Sequence, residues 1–342
     1  MKVLVPIEDP LFAGLVVQFI KHHKWSPTVE FLVLHVVEPL ELEHSILSAD
    51  RALLYQCTEK VVTQSTALVA SVANAIREVV PGAIVTQETT EAHLREEILR
   101  VSKQWGADLI LLGSHGRQGF SHFALGSISL DLAATSQTPV VLLKPAAPML
   151  KQWESLDFPA LMHQPVTQTA ENELKTFSNT RRVLVALDET DTSEAVIQFI
   201  TRHDWPAEVE FKLLSIISQR KKLRILKRNR AIDSHHLVKE REAHVAKFAI
   251  VLRGEVPHST ISAAIGSGDP RQIILRTAQT WHPDLLILGC HFSSTFDRIV
   301  HGSVSLPTIC GAPCAVWLVK QRVSAWVENQ CTKEIVEMAP PA

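Results

Sequence analysis

The chain has 342 residues, enough for two domains of ordinary size that each bury a core of their own. Its 46% hydrophobic and 20% charged residues are typical of a globular protein and exclude a disordered one. The net charge of −2 excludes a global field that would attract nucleic acid or an anionic membrane surface.

The N-terminal segment and the cysteines indicate a cytoplasmic protein without disulfides. Glu8, Asp9 and Pro10 stand where a signal peptide would have its apolar core. No apolar run reaches the roughly 18 residues that cross a bilayer. The five cysteines are few and odd in number. Their one close pair, Cys310 and Cys314, lacks further ligands at zinc spacing, so we expect no structural metal.

Short apolar runs alternate with segments of helical period, which is the pattern of βαβ units. In the first half the predicted strands cover 2–7, 29–37, 83–88, 108–113 and 140–144, and the helices between them cover 11–23, 48–79, 92–104 and 126–136. In the second half the predicted strands cover 183–187, 209–217, 261–265, 284–289 and 315–320. The predicted fold is therefore α/β, with two tandem doubly wound, Rossmann-like domains. Each is a five-stranded parallel sheet with helices on both faces.

The second half repeats the first. The segment that begins at Gln18 matches the one at Gln198, an offset of 180, and ADLILLGSHG from Ala107 matches PDLLILGCHF from Pro283, an offset of 176. A repeat of this length implies two domains of one fold. The predicted division is a first domain (1–145), a linker (146–180), a second domain (181–320) and a C-terminal tail (321–342).

The segment after the fourth predicted strand carries the strongest functional signal. It reads GSHGRQGFSHFALGS, with Gly113, Gly116 and the pair Gly126-Ser127 separated by two and nine residues. A strand that opens into spaced glycines and then a helix start presents backbone N–H groups to an anion. The alternative is that the glycines only shape a turn. The spacing and the strand context favour a phosphate site.

This loop resembles the nucleotide loop of the universal stress proteins. VLVPIED, HVVE and GADLILLGSHGR in the first half are also similar to that family, as are VLVALDETDTSEA, GSGDPRQII and HPDLLILG in the second. The resemblance covers about residues 2–144 and 182–320. It implies an adenine-nucleotide site at the carboxyl ends of the strands, where the strand order reverses between the first and fourth strands.

The resemblance assigns roles to residues of the first half. Gly113 and Gly116 would let backbone N–H groups surround phosphate, and the helix that starts at Gly126 would add those of its first turn. The backbone at Val36 matches the family position that meets adenine. Arg117 either reaches phosphate or is an exposed loop cation. The predicted nucleotide-binding residues are Ile7, Glu8, Val36, Leu112, Gly113, Gly116, Arg117, Gly126, Ser127 and Ile128.

Two departures from the family pattern separate the halves. The family has Asp after the first strand, and this chain has the longer Glu8 there, with Asp188 at the matching place in the second half. The second half keeps Gly289 but has Phe292 where the first half has Gly116. A phenyl group disfavours positive φ and would fill space near a triphosphate. We therefore predict one ATP site per chain, in the first domain.

The residues favour binding over catalysis, and no catalytic or metal-binding residue is predicted. Ser114 and His115 are adjacent but lack a third group that would orient the base. The loop also lacks the Gly-Lys-Ser/Thr end of a P-loop. ATP, with or without Mg²⁺, would be held by a nucleotide-dependent signalling or interaction module in a stress response. The alternatives are a slow ATPase or nucleotide-transferring enzyme, and a ligand-free scaffold.

The expected partners follow from the strand edges and one charged stretch. The last strands, PVVLLK and CAVWLVK, offer edges for an intramolecular pseudo-dimer, and a homodimer is a further option. Seven of the eleven residues in 220–230 are basic, which suits a solvated helix start, an acidic partner, RNA or the acidic stretch of the other half. No nucleic-acid or membrane partner is expected, and the sequence does not identify a protein partner.

His22 and His23 lie in a predicted helix without metal-ligand partners at suitable spacing. They are interpreted as surface residues.

Overall fold

The computed structural model describes residues 1–39, 48–114, 126–144, 181–188, 191–219, 234–290 and 304–320, with side chains for all of these except 48–58, 191, 234 and 235. The elements of the first half are β1 (Lys2–Pro6), α1 (Pro10–His22), β2 (Glu30–Val37), α2 (Ser48–Val79), β3 (Ile84–Glu91), α3 (Leu94–Trp105), β4 (Leu109–Gly113), α4 (Ser127–Thr135) and β5 (Val140–Leu143). Those of the second half are β6 (Arg182–Leu187), α5 (Asp191–Thr201), β7 (Glu210–Ser218), α6 (Ser234–Glu255), β8 (Thr260–Gly268), α7 (Pro270–Trp281), β9 (Leu285–Cys290), α8 (Ser305–Gly311) and β10 (Ala315–Lys320).

The strands form one sheet in the order β3-β2-β1-β4-β5-β10-β9-β6-β7-β8. Within each half all neighbouring strands are parallel, and the order 3-2-1-4-5 is the same in both. The helices α1 and α2 pack on one face of the first half, whereas α3 and α4 pack on the other. The predicted fold class, two tandem doubly wound domains, is therefore confirmed.

The strand interiors explain why the sheet forms. Strands such as β1 and β4 are apolar along nearly their whole length, and their central residues are fully buried because helices cover both faces. The outer strand β8 is longer than its predicted range of 261–265. Thr260 extends it at the start, and Gly266, Ser267 and Gly268 extend it at the end, because β8 pairs with β7 along all nine residues.

The two halves join through their last strands. β5 and β10 pair antiparallel, with Val141 opposite Trp317 at the centre of the register. These positions are equivalent in the repeat, so a pseudo-twofold axis passes between them. Both strands have a neighbour on each side, β4 for β5 and β9 for β10. Because the expected edges are used inside the chain, a homodimer would need a different surface.

Two equivalent lysines reinforce this junction from the ends of β5 and β10. Lys144 Nζ donates hydrogen bonds to the carbonyls of Ile309, Cys310 and Ala312 at the C-terminal end of α8. Lys320 Nζ donates to the carbonyl of Ala133 near the end of α4. Each half therefore provides a cation for the unsatisfied carbonyl groups at the end of the other half's last helix.

The interpretation of His23 as a surface residue was wrong. His23 follows α1 and is only 5% exposed, because it packs at the junction against Trp317, with ring centroids 5.6 Å apart. The equivalent His203 lies 4.9 Å from the same indole. Burial of this kind depends on the other half of the chain, and the local sequence around His23 does not reveal it.

The helices in the described part of the chain include none that is both long and apolar enough to span a membrane.

Candidate functional site

The crevice predicted for the first half lies where the strand order reverses. β1 pairs with β2 on one side and with β4 on the other. The helices that follow β1 and β4 leave to opposite faces of the sheet, which opens a crevice at the carboxyl ends of these strands. Leu112, at the end of β4, is 5% exposed and belongs to the wall of this crevice.

The turn after β1 places two adjacent carboxylates in different environments. Asp9 is 2% exposed and caps α1, since its Oδ1 accepts hydrogen bonds from the N–H groups of Leu11 at 2.9 Å and Phe12 at 3.0 Å. Glu8 is exposed at the crevice. Asp9 is therefore a structural cap, and Glu8 is the carboxylate in position to meet a ligand. The sequence signal for the cap was the Asp-Pro pair at the helix start.

Gly113 is explained by the packing of α1 against β4. A Cβ atom at Gly113 would lie 2.6 Å from Cδ1 of Phe12, far inside contact distance. The buried phenyl group thus forms the base of the crevice directly beside the start of the glycine loop. The local sequence does not mark Phe12 as a residue of this site, because nothing in the pattern distinguishes it from other core residues of α1.

The start of α4 is fixed to the end of β4. The N–H of Gly126 donates to the Ser114 carbonyl at 2.8 Å, and Ser129 Oγ donates to the Gly113 carbonyl at 2.8 Å. Gly126 is the N-cap and provides no side-chain hydrogen bond. The first-turn N–H groups, including those of exposed Ser127 and half-buried Ile128, therefore lie next to the glycine loop, at the positive end of the helix.

The end of β2 presents backbone groups on the β1 side. The Leu34 carbonyl accepts a hydrogen bond from the Ile7 N–H at 2.8 Å, while the Val37 carbonyl accepts one from Ala92, on the β3 side, at 3.0 Å. Because backbone groups alternate sides along a strand, those of Val36 face the β1 side, just beyond that last bond. The buried His35 approaches the Ile7 carbonyl through Nδ1 at 2.7 Å, so Nδ1 is the donor.

The structure thus brings together eight of the predicted residues: Ile7, Glu8, Val36, Leu112, Gly113, Gly126, Ser127 and Ile128. Gly116 and Arg117, as well as His115, lie outside the described residues. The same holds for Phe292, the stretch 220–230, the linker and the tail. Among the residues that the structure describes, no cluster of three or more His, Cys, Asp or Glu side chains could hold a metal ion.

The second crevice has a different arrangement at the carboxylate after its first strand. Asp188 Oδ1 accepts hydrogen bonds from the hydroxyl groups of Thr192 at 3.1 Å and Ser193 at 3.0 Å. The matching positions of the first half, Phe12 and Ala13, have no polar side-chain atoms. The carboxylate of Asp188 is therefore held by α5 in a way that α1 cannot reproduce for Glu8.

A family model described as the universal stress protein family matches residues 1–144 and 179–320, which together are most of the chain. The chain belongs to the universal stress protein family. The match covers both halves separately, in agreement with the repeat and with the equivalent strand order of the two halves of the sheet. The universal stress protein fold is thus present twice in this chain.

Relatives of one-domain and two-domain length share this similarity. A universal stress protein of Methanocaldococcus jannaschii is 23% identical over 154 residues, which are 42% of this chain and 94% of that protein. A crystal structure of a universal stress protein from Archaeoglobus fulgidus is 18% identical and covers 94% of this chain and 98% of its own, with a TM-score of 0.58. The second comparison shows the same fold over nearly the full length of both chains.

A universal stress protein has also been solved in complex with cAMP. It covers 42% of this chain and 95% of its own length, at 14% identity and a TM-score of 0.30. This similarity is too low to place a ligand in this chain.

Proposed function

We propose that this universal stress protein binds an adenine nucleotide, with ATP as the first candidate, in the crevice of its first half. Binding would control an interaction with another protein in a stress response. The observation that carries the proposal is the N-terminus of α4, which no side chain caps and which Gly126 and Ser129 fix to the end of β4. N–H groups at the positive end of a helix are suited to phosphate.

The other walls of the crevice suit the rest of a nucleotide. The backbone groups of Val36 can form the pair of hydrogen bonds that an adenine edge offers, and the Glu8 carboxylate can accept from ribose hydroxyls. The phenyl group of Phe12 gives the crevice an apolar base beside the loop. These features support binding and positioning. The described residues of the crevice include no nucleophile and base arranged for turnover.

The test is ATP binding by isothermal titration calorimetry, with and without Mg²⁺, to the full chain and to Gly116→Phe, which copies Phe292. We expect the variant to lose at least about tenfold in affinity, since a side chain there would obstruct the phosphates. Gly254→Phe is the matched control, because the Cβ position at Gly254 has no heavy atom within 4 Å. Unchanged binding by Gly116→Phe would contradict the proposal. Release of ADP within minutes would favour the enzyme alternative.

A further inference from the structure

Among the residues that the structure describes, the second crevice contains a buried arginine that has no counterpart in the first. Arg241, on α6, is 5% exposed, and its Nη1 donates to Ser215 Oγ at 3.4 Å. Ser215 lies on β7, is fully buried and donates its hydroxyl to the Leu187 carbonyl at 3.0 Å. Leu187 is the last residue of β6. The guanidinium group therefore lies beside the carboxyl ends of β6 and β7.

A buried guanidinium group keeps its charge and needs an anion nearby. Burial lowers the pKa of Arg241, while the negative charges of Asp188 and Glu240 act in the opposite direction. Asp188 is the carboxylate that would meet ribose if a nucleotide bound here. It is further held by Thr192 and Ser193 through Oδ1, and His244 Nε2 lies 3.0 Å from its backbone carbonyl.

The first half has no arginine at the position that matches Arg241. The offset of 176 that relates Val80-Pro81 to Val256-Pro257 places Ser65 opposite Arg241. Ser65 is buried, uncharged and much smaller than arginine. The first crevice thus has Ser65 and Glu8 where the second has Arg241 and Asp188. The two crevices therefore differ at these positions as well as in the glycine loop.

We infer that Arg241 is the internal occupant of the second crevice, where its charge takes the place beside Asp188 that the ribose of a nucleotide would need. The inference rests on the proposed function of the first crevice. It offers a reason why the second half would keep its fold without a nucleotide: the positive charge on α6 offsets the negative charge of the crevice carboxylate, which Thr192 and Ser193 also hold. It also means that Phe292 is not the whole obstacle, so a glycine at that position does not by itself restore a site.

The experiment measures ATP binding to the second half in a chain whose first site is blocked by Gly116→Phe. In that background, Phe292→Gly alone is expected to bind no ATP. Adding Arg241→Ser, the residue of the first half, is expected to create one site per chain with at least about tenfold higher affinity than the background. Arg253→Ser, an exposed arginine of the same helix, is the matched control and is expected to create none.

Two outcomes would overturn the inference: ATP binding by Phe292→Gly without the arginine change, or no binding by the folded double variant. The double variant combines Phe292→Gly with Arg241→Ser. If Arg241→Ser lowers the melting temperature below the assay temperature, Arg241→Gln takes its place, because glutamine removes the charge and keeps more of the side chain. In both cases the unaltered chain still binds one ATP. Failure of the proposed function is distinguished because the unaltered chain then binds none.

Discussion

At the scale of residues, the account depends most on Glu8. The neighbouring Asp9 is committed to the cap of α1, so the extra methylene of Glu8 has to be accommodated by the crevice for a carboxylate to reach ribose. Phe12 and Ala13 stand where the second half has Thr192 and Ser193, whose hydroxyl groups hold Asp188. We therefore expect Glu8 to decide whether the first crevice discriminates ribose from deoxyribose.

We predict that Glu8→Ala lowers ATP affinity about tenfold, as expected for loss of a hydrogen bond to a charged acceptor. The informative measurement is a cycle with 2′-deoxy-ATP and 3′-deoxy-ATP. If Glu8 meets the ribose hydroxyls, the original chain binds at least one of these analogues less tightly than ATP and the variant does not discriminate. Glu59→Ala, on the exposed side of α2, serves as control. Equal discrimination by Glu8→Ala and the original chain would remove Glu8 from the site.

The contact between Gly113 and Phe12 gives a second residue-scale prediction. Gly113→Ala should destabilise the protein by roughly 1–3 kcal/mol, because the new methyl group overlaps the phenyl group. Phe12→Ala should cost about 3 kcal/mol through its cavity, and the double variant should cost clearly less than the sum. Thermal unfolding measures all three. Gly254→Ala, with space around its Cβ position, should be neutral or stabilising, and strict additivity of the Gly113 and Phe12 changes would contradict the contact.

At the scale of elements, the junction between the halves depends on how helix ends meet strand ends. Lys144 and Lys320 occupy equivalent positions. Each donates hydrogen bonds to carbonyl groups at the end of the last helix of the other half, Lys144 to α8 and Lys320 to α4. Burial lowers the pKa of Lys144 to about 8. The carbonyl groups at the end of α8 hold the amine in place despite this burial.

We predict that Lys144→Met, which keeps the length of the side chain but removes its donors, destabilises the chain by about 1–3 kcal/mol. Urea unfolding monitored by tryptophan fluorescence is suitable, because Trp317 lies next to the junction. Lys247→Met provides the control, since that side chain is 64% exposed and its described contacts are a surface ion pair with Glu194 and the ring of Phe248 at 5.7 Å. Equal stability of the two variants would show that the crossing lysine is not a structural contact.

The elements were predictable to the extent that local sequence determines them. Apolar runs such as 109–112 predict buried strands, and the Asp-Pro pair at Asp9 predicts the start of α1. The outer strand β8 was underestimated because an edge strand needs fewer apolar residues than a central one. The roles of Phe12, His23 and Arg241 could not be predicted, because each depends on a contact with a distant segment.

At the scale of the whole molecule, the pseudo-twofold axis brings buried nitrogen atoms together. Both ring nitrogens of His23, Nε2 of His203 and Nε1 of Trp317 are buried and have no hydrogen-bond partner among the described residues. His203 Nδ1 donates to the Phe199 carbonyl at 2.6 Å, so its Nε2 is the acceptor in the neutral ring. Protonation of either imidazole would place an uncompensated charge in this apolar junction.

Burial, together with the nearby His203, lowers the pKa of His23 from 6.5 to about 3. Burial also lowers the pKa of His203, although its Phe199 hydrogen bond and the charges of Asp108 and Asp204 act against this. Because unfolded histidines take up protons below about pH 6.5 and the buried His23 does not, the stability that His23 contributes is fully present above that pH. It should fall on acidification by about 1.4 kcal/mol per pH unit for His23, and His203 acts in the same direction.

We predict that His23→Leu reduces the loss of unfolding free energy between pH 6.5 and 4.5 by about 2–3 kcal/mol. Urea titrations at pH 7.0, 6.5, 5.5 and 4.5 measure this slope. His93→Leu is the matched control at an exposed position and should leave the slope unchanged. A slope in His23→Leu equal to that of the original chain would show that His23 is not buried in its neutral form.

The halves share a fold, but their crevices have diverged: one has a glycine loop beside Glu8 and Phe12, the other a buried Arg241 beside Asp188. We propose one nucleotide site per chain, in the first half. Native mass spectrometry of the full chain titrated with ATP counts the bound nucleotides. We expect binding to saturate at one ATP per chain and to disappear in Gly116→Phe. Saturation at two, or no binding at all, would contradict this proposal.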